Sequence, residues 1–438
     1  MLQAGFARMD ITLPLGTGLA GYFAPRPAKG VLDPLSLNAI ALSDGKETAL
    51  LITVDALGMR YMFCEEIRAL IEEKTGVPAD HVILTALHQH TSFVMRPKGG
   101  TCALQDKSYI SVLYRKFADV AKMAVDDLAN ATLCVSIAPA LKPLSFIRRY
   151  RMKDGSIKTN PNGEKYAGQI IGPAGKSDND VRLLRFMREG KKEIALVNFC
   201  THPDVIGGSR ISADWPGFVR RFVEEEQDAH CILVNGFQGD VNHINFQLQT
   251  KEERFPAGSG YQHSEYMARV IADTVNAIWD KGEVKTDGAV RAAQTAIYNQ
   301  TRTDGAEDYE ICKPIYDEFQ RTFEVPADAA IKDLAYLRRV VEMRTDPIWR
   351  RVPVSAIAVG DLAFVGLGGE PFSHYAEAIR EGAPDKLVIS LTCANGFEGY
   401  LPTATAFAEG GYEATASAFT PNLEEQCVGA AVELLKKL

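Results

Sequence analysis

Apolar residues along this chain follow two patterns that alternate with each other. Continuous apolar runs rich in β-branched residues predict strands at 38–43, 48–54, 81–87, 133–138, 193–200, 231–236, 288–298, 353–359, 362–367 and 386–393. Apolar residues that recur every three or four positions predict helices at 62–75, 108–130, 216–227, 262–281, 328–344, 372–381 and 422–437. This alternation predicts an α/β fold, with layers of mixed sheet flanked by helices and central strands that are apolar on both faces.

Two of the predicted strands end at histidines. The strand at 81–87 leads into His88 and His90, and side chains two positions apart in an extended strand point to the same face. The strand at 193–200 is followed by His202 and then by a proline, which cannot donate a ladder hydrogen bond. Ligands bind beyond strand ends in open α/β sheets, so a metal or acid–base role is indicated. The alternative is that all three are ordinary surface or core histidines.

The carboxyl half supplies two further candidate ligands. A hairpin formed by 355–359 and 362–367 leads through two glycines to Glu370. The alternative for this acid is a charge at a helix N-terminus, favoured by the helix dipole. Tyr400 lies in a turn-rich loop after the last predicted strand, and alone it would be interpreted as a packing residue.

The order of these segments resembles that of the neutral ceramidases (neutral and alkaline, non-lysosomal), zinc amidases that split ceramide into sphingosine and a fatty acid. Eight segments carry the resemblance: MDITLP (9–14) with GY (21–22), LHQHTS (87–92), NFCTH (198–202), DWPGF (214–218), GFQGDVN (236–242), GEPF (369–372), YLPT (400–403) and YEATAS (412–417). No single match is decisive, but their common order over nearly the whole chain makes chance a poor explanation.

The resemblance implies a set of site residues. Zinc would be bound by His88, His202, Glu370 and Tyr400, a set of donors that suits Zn²⁺. Polar catalytic groups around the substrate carbonyl would be His90, Arg148 and Tyr412, and residues on the substrate side would be Gly21, Gly236 and Asp240. Two assignments stay open: Arg149 competes with Arg148, and His243 either joins the site or merely lies near a turn that Asp240 and Asn242 organise.

The implied chemistry is hydrolysis by metal-activated water. Zinc lowers the pKa of bound water from 15.7 towards about 7, and the resulting hydroxide would attack an amide or ester carbonyl. His90 is the candidate to pass a proton to the leaving group. The alternative is a non-catalytic relative that keeps the fold as a metal- or ligand-binding protein.

The sequence also departs from the family. Gly236 stands where the ceramidases carry a serine, and 91–94 read Thr-Ser-Phe-Val in place of the family's serine-glycine-proline turn. The resemblance covers the catalytic domain only: about twenty residues follow Ser417, too few for the family's immunoglobulin-like domain. A substrate smaller and more polar than ceramide is therefore expected. Because the implied ligands span residues 88 to 400, we expect one large catalytic domain over 1–438, with an insertion at about 145–180 near the site.

Composition narrows the possible partners. The chain has 48 basic and 56 acidic residues, a net charge of −8 and a pI of about 5.6, which favours neither nucleic acid nor an anionic membrane. No signal peptide is visible and no apolar run approaches the roughly 20 residues of a membrane span, so a cytoplasmic enzyme with a small-molecule substrate is expected. The cysteines show no C-x-x-C pair and are expected to be free thiols. The segment 300–328 is rich in acidic residues and is interpreted as solvated surface. The oligomeric state is not predicted.

Overall fold

Two mixed β-sheets packed face to face form the centre of the fold. The computed structural model describes residues 1–97, 104, 106–162, 166–248, 250–343 and 347–438. The large sheet contains β1 (Gln3–Asp10), β2 (Ser36–Ser43), β3 (Thr48–Val54), β4 (Val82–Ala86), β5 (Ala129–Pro139), β6 (Asp180–Arg188), β7 (Glu193–Phe199), β8 (Ala229–Asn235) and β9 (Glu283–Lys285). The small sheet contains β10 (Val290–Gln300), β11 (Trp349–Val359), β12 (Leu362–Leu367) and β13 (Leu387–Leu391).

Each sheet combines antiparallel strands with parallel pairs at its edges. The order in the large sheet is β8–β7–β6–β5–β1–β2–β3–β4, with β9 paired to β5. The pairs β7–β8 and β3–β4 are parallel. The order in the small sheet is β10–β11–β12–β13, in which β12 and β13 are parallel. Chain segments that leave the carboxyl ends of β4, β7 and β12 carry the candidate site.

Helices cover the outer faces of both sheets. They are α1 (Tyr61–Thr75), α2 (Lys107–Asp126), α3 (Asp214–Glu226), α4 (Lys251–Arg254), α5 (Tyr261–Ile278), α6 (Tyr309–Thr322), α7 (Leu334–Met343), α8 (Ser373–Gly382), α9 (Ala404–Glu409), α10 (Tyr412–Ala416) and α11 (Leu423–Leu435). Helices α1, α2, α3 and α5 pack on the large sheet, and α8 and α11 pack on the small sheet. Among the described residues, no helix combines the length and the apolar character that crossing a membrane requires.

Short elements complete the described structure. Paired two-residue strands are Gly18–Leu19 with Arg26–Pro27, Gly30–Val31 with Arg210–Ile211, Gly58–Met59 with Val94–Met95, Phe146–Ile147 with Val241–Asn242, and Glu370–Pro371 with Tyr400–Leu401. Within the segment 145–180, strand Arg149–Met152 pairs with both Ile157–Thr159 and Ile170–Pro173. Single 3₁₀ turns are formed by Ala79–His81 and Ala306–Asp308.

The period-two pattern of the strands explains the layers. In β2, Ile40 and Leu42 point into the core between the two sheets, whereas Ala39 and Ala41 point into the core beneath α1 and α2. All four are fully buried. Side chains of the small sheet, such as Phe364, fill the inter-sheet core from the opposite side. Burial of a large aliphatic or aromatic side chain contributes about 1.5–3 kcal/mol, so this continuous core is the main support of the site.

Each strand and helix predicted from the apolar pattern is present; the strands at 48–54 and 362–367 have the predicted bounds, and the other elements have shifted bounds. The helix predicted at 108–130 ends at Asp126, because Ala129 already begins β5. The helix predicted at 328–344 begins only at Leu334, and its last predicted residue lies outside the described residues.

Three long elements were not predicted, and charged residues account for this. Arginines interrupt the apolar pattern of β1 and β6, but acidic partners neutralise them; Arg185, for example, contacts Glu193 at 3.0 Å. The interpretation of 300–328 as solvated surface is wrong for α6. There, Cys312, Tyr316 and Phe319 form a buried stripe behind the acids.

Candidate metal centre

The site begins where β4 ends. The strand stops at Ala86, and His88 has a φ of 78°, in the left-handed region. The expectation that His88 and His90 share the face of an extended strand is therefore wrong, although they do converge. A turn brings them together instead: the His88 N–H donates to the carbonyl of Ala56 (2.9 Å), and the His90 N–H donates to that of Pro203 (3.1 Å).

A buried ion pair anchors this turn. Gln89, between the two histidines, donates from Nε2 to Oδ1 of Asp55 at 2.7 Å. Asp55 also accepts two hydrogen bonds from Arg220, at 3.0 and 2.6 Å. Asp55 is completely buried and Arg220 is 5% exposed. The ion pair therefore fixes the segment that presents both imidazoles.

Replacing Arg220 with methionine should lower the free energy of unfolding by about 3–5 kcal/mol, because the Asp55 carboxylate would stay buried without its counter-charge. Urea unfolding followed by circular dichroism measures this loss. Arg221→Met removes a neighbouring but half-exposed guanidinium and should change stability by less than about 0.5 kcal/mol. Equal unfolding midpoints for the Arg220 and Arg221 variants would contradict the anchoring role.

His202 is delivered by the loop that follows β7. The strand ends at Phe199, and His202, three residues later, is completely buried. Asp214 holds this loop in place, because its Oδ2 accepts the backbone N–H groups of Val205 and Ile206, both at 3.0 Å. The position of His202 is thus set from both sides, by the strand before it and by the carboxylate that binds the loop after it.

Glu370 and Tyr400 are direct partners in the short parallel pair beyond β12. Glu370 is 4% exposed. A Cβ at Gly239 would lie 2.3 Å from the carbonyl oxygen of Glu370, so glycine alone permits this close approach of two backbone segments. Burial, together with the carboxylate of Glu370, raises the pKa of the Tyr400 phenol well above its ordinary value.

Four side chains converge on one point. Nε2 of His90 lies 3.4 Å from Nε2 of His88 and 3.2 Å from Nε2 of His202. Oε2 of Glu370 lies 3.2 Å from Nε2 of His88 and 4.0 Å from Nε2 of His202. The three imidazoles form a cluster whose ligand atoms are close enough to hold a metal ion.

The outer ring nitrogens distinguish the three histidines. Nδ1 of His88 lies 2.8 Å from the carbonyl oxygen of Leu57, and Nδ1 of His202 lies 3.3 Å from that of Gln238. A proton on Nδ1 satisfies both contacts and leaves Nε2 with a lone pair that points to the centre, the usual arrangement of metal-binding histidines. Nδ1 of His90 has no such carbonyl partner among the described residues, and His90 is only half-buried.

The electrostatics of the cluster favour one positive charge. Burial disfavours charged imidazole, but the Glu370 carboxylate outweighs it and raises the pKa of His88 to about 10. Burial, and then His88, lower the pKa of His90 to about 4. Burial, and then Arg148, hold the pKa of His202 well below its ordinary value. At pH 7 His90 and His202 are therefore neutral, while His88 carries the positive charge that Glu370 attracts; a metal ion at this point would displace that proton from His88.

The donor set fits a zinc ion. The ligand nitrogens of the three histidines all lie within 4.8 Å of one another, a spacing that one ion can bridge, and imidazole is a preferred zinc ligand. Oε2 of Glu370 is enclosed, and Nε2 of His88 lies 3.2 Å from it. A buried carboxylate needs a positive charge beside it, which either protonated His88 or a metal ion shared with the imidazoles would supply.

Of the two adjacent arginines, Arg148 lies next to the cluster. Its Nη1 is 3.5 Å from Nδ1 of His202, Nε donates to Glu413 (2.6 Å), and Nη2 donates to the Gly239 carbonyl (2.9 Å). One Nδ1 cannot both accept from Arg148 and donate to a carbonyl, and the shorter contact to the Gln238 carbonyl favours donation. Arg149 instead donates to the carbonyl of Gly410, at 2.7 Å.

Tyr412 lies at the edge of this arrangement. Its ring packs edge-on against the ring of Tyr400, with centroids 5.7 Å apart, and it is 38% exposed. The guanidinium of Arg148 lies 5.3 Å from the centre of the Tyr400 ring. Tyr412, Tyr400 and Arg148 therefore form a continuous polar wall beside the histidine cluster.

The three residues expected on the substrate side have different surroundings. A Cβ at Gly21 would lie 2.5 Å from Nδ1 of His90, so Gly21 lets the chain pack directly against that imidazole. A Cβ at Gly236 would lie 2.9 Å from that of Cys200, within packed strand ends. Asp240 accepts the backbone N–H of Ser373 (2.7 Å) at the start of α8, and burial raises its pKa to about 6. Neither Gly236 nor Asp240 joins the converging atoms.

Sequence reasoning did not select three buried or partly buried acids near the centre. Asp55 anchors the turn of His88 and His90, Glu413 binds Arg148, and Asp204 follows His202 by two residues. Glu413 lies within YEATAS (412–417), one of the segments that carry the resemblance, so the sequence offered a reason to consider it as a site residue. The other two carry no local pattern, because their partners are distant in sequence.

The two stacked mixed sheets, with a histidine cluster at their strand ends, define a fold of the neutral ceramidase type. A neutral ceramidase structure from Pseudomonas aeruginosa matches all of this chain at 14% identity, with a TM-score of 0.71 over 75% of its own length. A ceramidase structure described as complexed with C2 matches all of this chain at 13% identity, with a TM-score of 0.72 over 76% of its length. No protein-family model and no curated protein sequence matches the chain.

Proposed function

We propose that this chain is a zinc-dependent hydrolase related to the ceramidases, which cleaves an amide or ester bond in a substrate smaller and more polar than ceramide. The observation that carries the proposal is the convergence of the His88, His90 and His202 imidazoles and the Glu370 carboxylate on one point, with ligand atoms close enough for a single ion. The ceramidase-like fold supports it, and we further propose that residues 1–438 act as one catalytic domain.

His88, His202 and Glu370 would hold the ion, and Tyr400 would complete the set. The two histidines are buried and their outer nitrogens contact carbonyls, which orients them as ligands. When bound, zinc supplies Lewis-acid activation of water and of the substrate carbonyl. Burial and the Glu370 carboxylate keep the Tyr400 phenol protonated without a metal, so its oxygen needs a neighbouring cation to bind in ionised form.

The remaining polar residues would act on the substrate. Arg148 is fixed by Glu413 and by the Gly239 carbonyl, so Nη1 remains as a donor towards the carbonyl oxygen of the substrate. Tyr412 would offer a second donor from the exposed edge. Within the described part of the chain Nδ1 of His90 has no carbonyl partner, and this partly buried imidazole would carry a proton to the leaving group.

Polar groups around the centre support a small polar substrate. Next to His90 lie the Tyr22 ring, whose centroid is 5.8 Å from that of the imidazole, and the Arg26 guanidinium, 3.9 Å from the Tyr22 ring centre. Asp204, two residues after His202, is partly exposed. A long alkyl chain would have to desolvate these groups without replacing their hydrogen bonds, which is costly.

Metal analysis combined with a hydrolysis screen tests the proposal. The purified protein should contain about one zinc per chain by plasma mass spectrometry and should hydrolyse some members of a panel of short N-acyl amines and acyl esters. A chelator should abolish the activity, and added Zn²⁺ should restore it. Zinc without any hydrolysis would favour the non-catalytic alternative, and the absence of any bound metal would refute the metal centre.

A further inference from the structure

A carboxylate lies beside His90 and has no part in the proposed hydrolysis. Asp204 follows Pro203, whose carbonyl accepts the backbone N–H of His90 at 3.1 Å. The Asp204 side chain is 26% exposed. Asp204 also follows His202 by two residues, so it belongs to the loop that presents His202 and binds the backbone of His90.

The carboxylate is supported from behind by buried rings. Oδ1 of Asp204 is enclosed and lies 3.5 Å from Nδ1 of His243. The His243 ring in turn packs against the ring of His263, with centroids 5.3 Å apart, and the two histidines are 8% and 3% exposed. Oδ2 accepts no hydrogen bond from the described part of the chain, and because Oδ1 is enclosed, it is the oxygen left for a ligand.

The backbone around Asp204 is also fixed. The next two residues, Val205 and Ile206, donate their N–H groups to Asp214, which itself accepts the hydroxyl of Ser264 at 2.6 Å. A carboxylate held by its neighbours on both sides is a preorganised acceptor, since little conformational entropy is lost when a donor binds to it.

We propose that Asp204 is a specificity-determining residue that accepts a hydrogen bond from a hydroxyl or ammonium group on the amine half of the substrate. This inference rests on the proposed function. In that proposal His90 protonates the leaving nitrogen, and Asp204 is adjacent to His90, so the amine half lies on this side of the site. A carboxylate forms strong hydrogen bonds with hydroxyl and ammonium groups. An aliphatic group at the same position would leave the carboxylate without a hydrogen-bond partner, which is unfavourable.

Three matched amides test this assignment. N-acetylethylenediamine, N-acetylethanolamine and N-propylacetamide place an ammonium, a hydroxyl and a methyl group at the same position. For Asp204→Asn, we expect kcat/KM to fall about 10- to 100-fold with the ammonium amide, about three- to tenfold with the hydroxyl amide, and less than about twofold with the methyl amide. The loss should lie mainly in KM, because the contact is present in both ground and transition states.

Two further variants separate recognition from structure. Asp228→Asn makes the same change at a fully solvated carboxylate and should leave all three rates unchanged. His243→Ala removes the support of the carboxylate and should reduce discrimination between the amides while zinc content is kept. An equal loss of rate for all three amides in Asp204→Asn would overturn the proposal.

Binding separates this inference from the proposed function. If the wild-type protein hydrolyses none of the three amides, saturation-transfer NMR still compares their binding. Preferential binding of the ammonium or hydroxyl amide that disappears in Asp204→Asn would support the role of Asp204 and leave only the hydrolysis unsupported. Equal binding of the three amides would overturn the inference whether or not the protein is a hydrolase.

Discussion

Replacing His202 with alanine should give a folded protein that does not retain zinc and whose kcat/KM is lowered by at least about 10³-fold. His202 is completely buried, and its Nε2 lies 3.2 Å from Nε2 of His90. Its removal leaves two of the three imidazoles in the cluster. Losing several kcal/mol of metal activation corresponds to a rate loss of about a thousandfold or more, at about 1.36 kcal/mol per factor of ten.

The measurement pairs plasma mass spectrometry after dialysis with turnover of the best substrate from the screen. His374→Ala is the matched control, because this histidine is exposed and contacts only surface acids, so zinc content and rate should stay unchanged. Circular dichroism shows whether each variant folds. A folded His202→Ala protein with one zinc per chain would refute the assignment of His202 as a ligand.

The histidines show what an apolar pattern can and cannot predict. That His202 lies beyond a strand end could be predicted, because the apolar run stops before it and a proline follows. For His88 the predicted strand was correct but the predicted conformation was not. The residue adopts a left-handed φ of 78°, and the turn depends on Gln89 bonding to Asp55, whose own partner, Arg220, lies 165 positions further along the chain. A contact between residues so far apart in sequence cannot be predicted from the residues around His88.

The choice between Arg148 and Arg149 illustrates the same limit. Adjacent residues with the same side chain are equivalent in any local pattern. Only their contacts separate them: Arg148, between two short strands, pairs with Glu413 at 2.6 Å, whereas Arg149 donates to the carbonyl of Gly410 and lies 3.9 Å from Glu413. Which face meets the histidines follows from the packing of the segment 145–180 against distant loops.

The missed strand β6 has a related cause. It lies in the middle of the large sheet, yet Arg182 and Arg185 make it look like polar surface. Both arginines are at least nine-tenths buried and are neutralised by acids that include Asp178 and Glu193. An arginine in a segment argues against a buried strand when only the apolar pattern is considered. That pattern holds no information about the acidic partners that make burial of the arginine possible.

Replacing Arg148 with methionine should lower kcat by about 10²- to 10³-fold while zinc content is retained. The guanidinium is 4% exposed, and two of its nitrogens are occupied by Glu413 and by the Gly239 carbonyl. The third, Nη1, faces His202, and loss of one preorganised donor to a developing oxyanion costs about this factor. Arg149→Met is the matched control, because it removes an equally buried guanidinium whose closest contacts are the Gly410 carbonyl and Glu409; its kcat should change only a few-fold.

A second variant separates catalysis from folding at this position. Arg148→Met leaves the carboxylate of Glu413 buried, and breaking such a pair costs about 3–5 kcal/mol, so a lower rate alone could reflect unfolding. The double variant Arg148→Met with Glu413→Gln removes both charges and should regain most of the stability, because the amide still accepts the hydroxyl of Thr159, now 2.8 Å from Glu413. Its rate should nevertheless stay low, since the donor is still missing. Recovery of rate together with stability would show that Arg148 serves the fold alone.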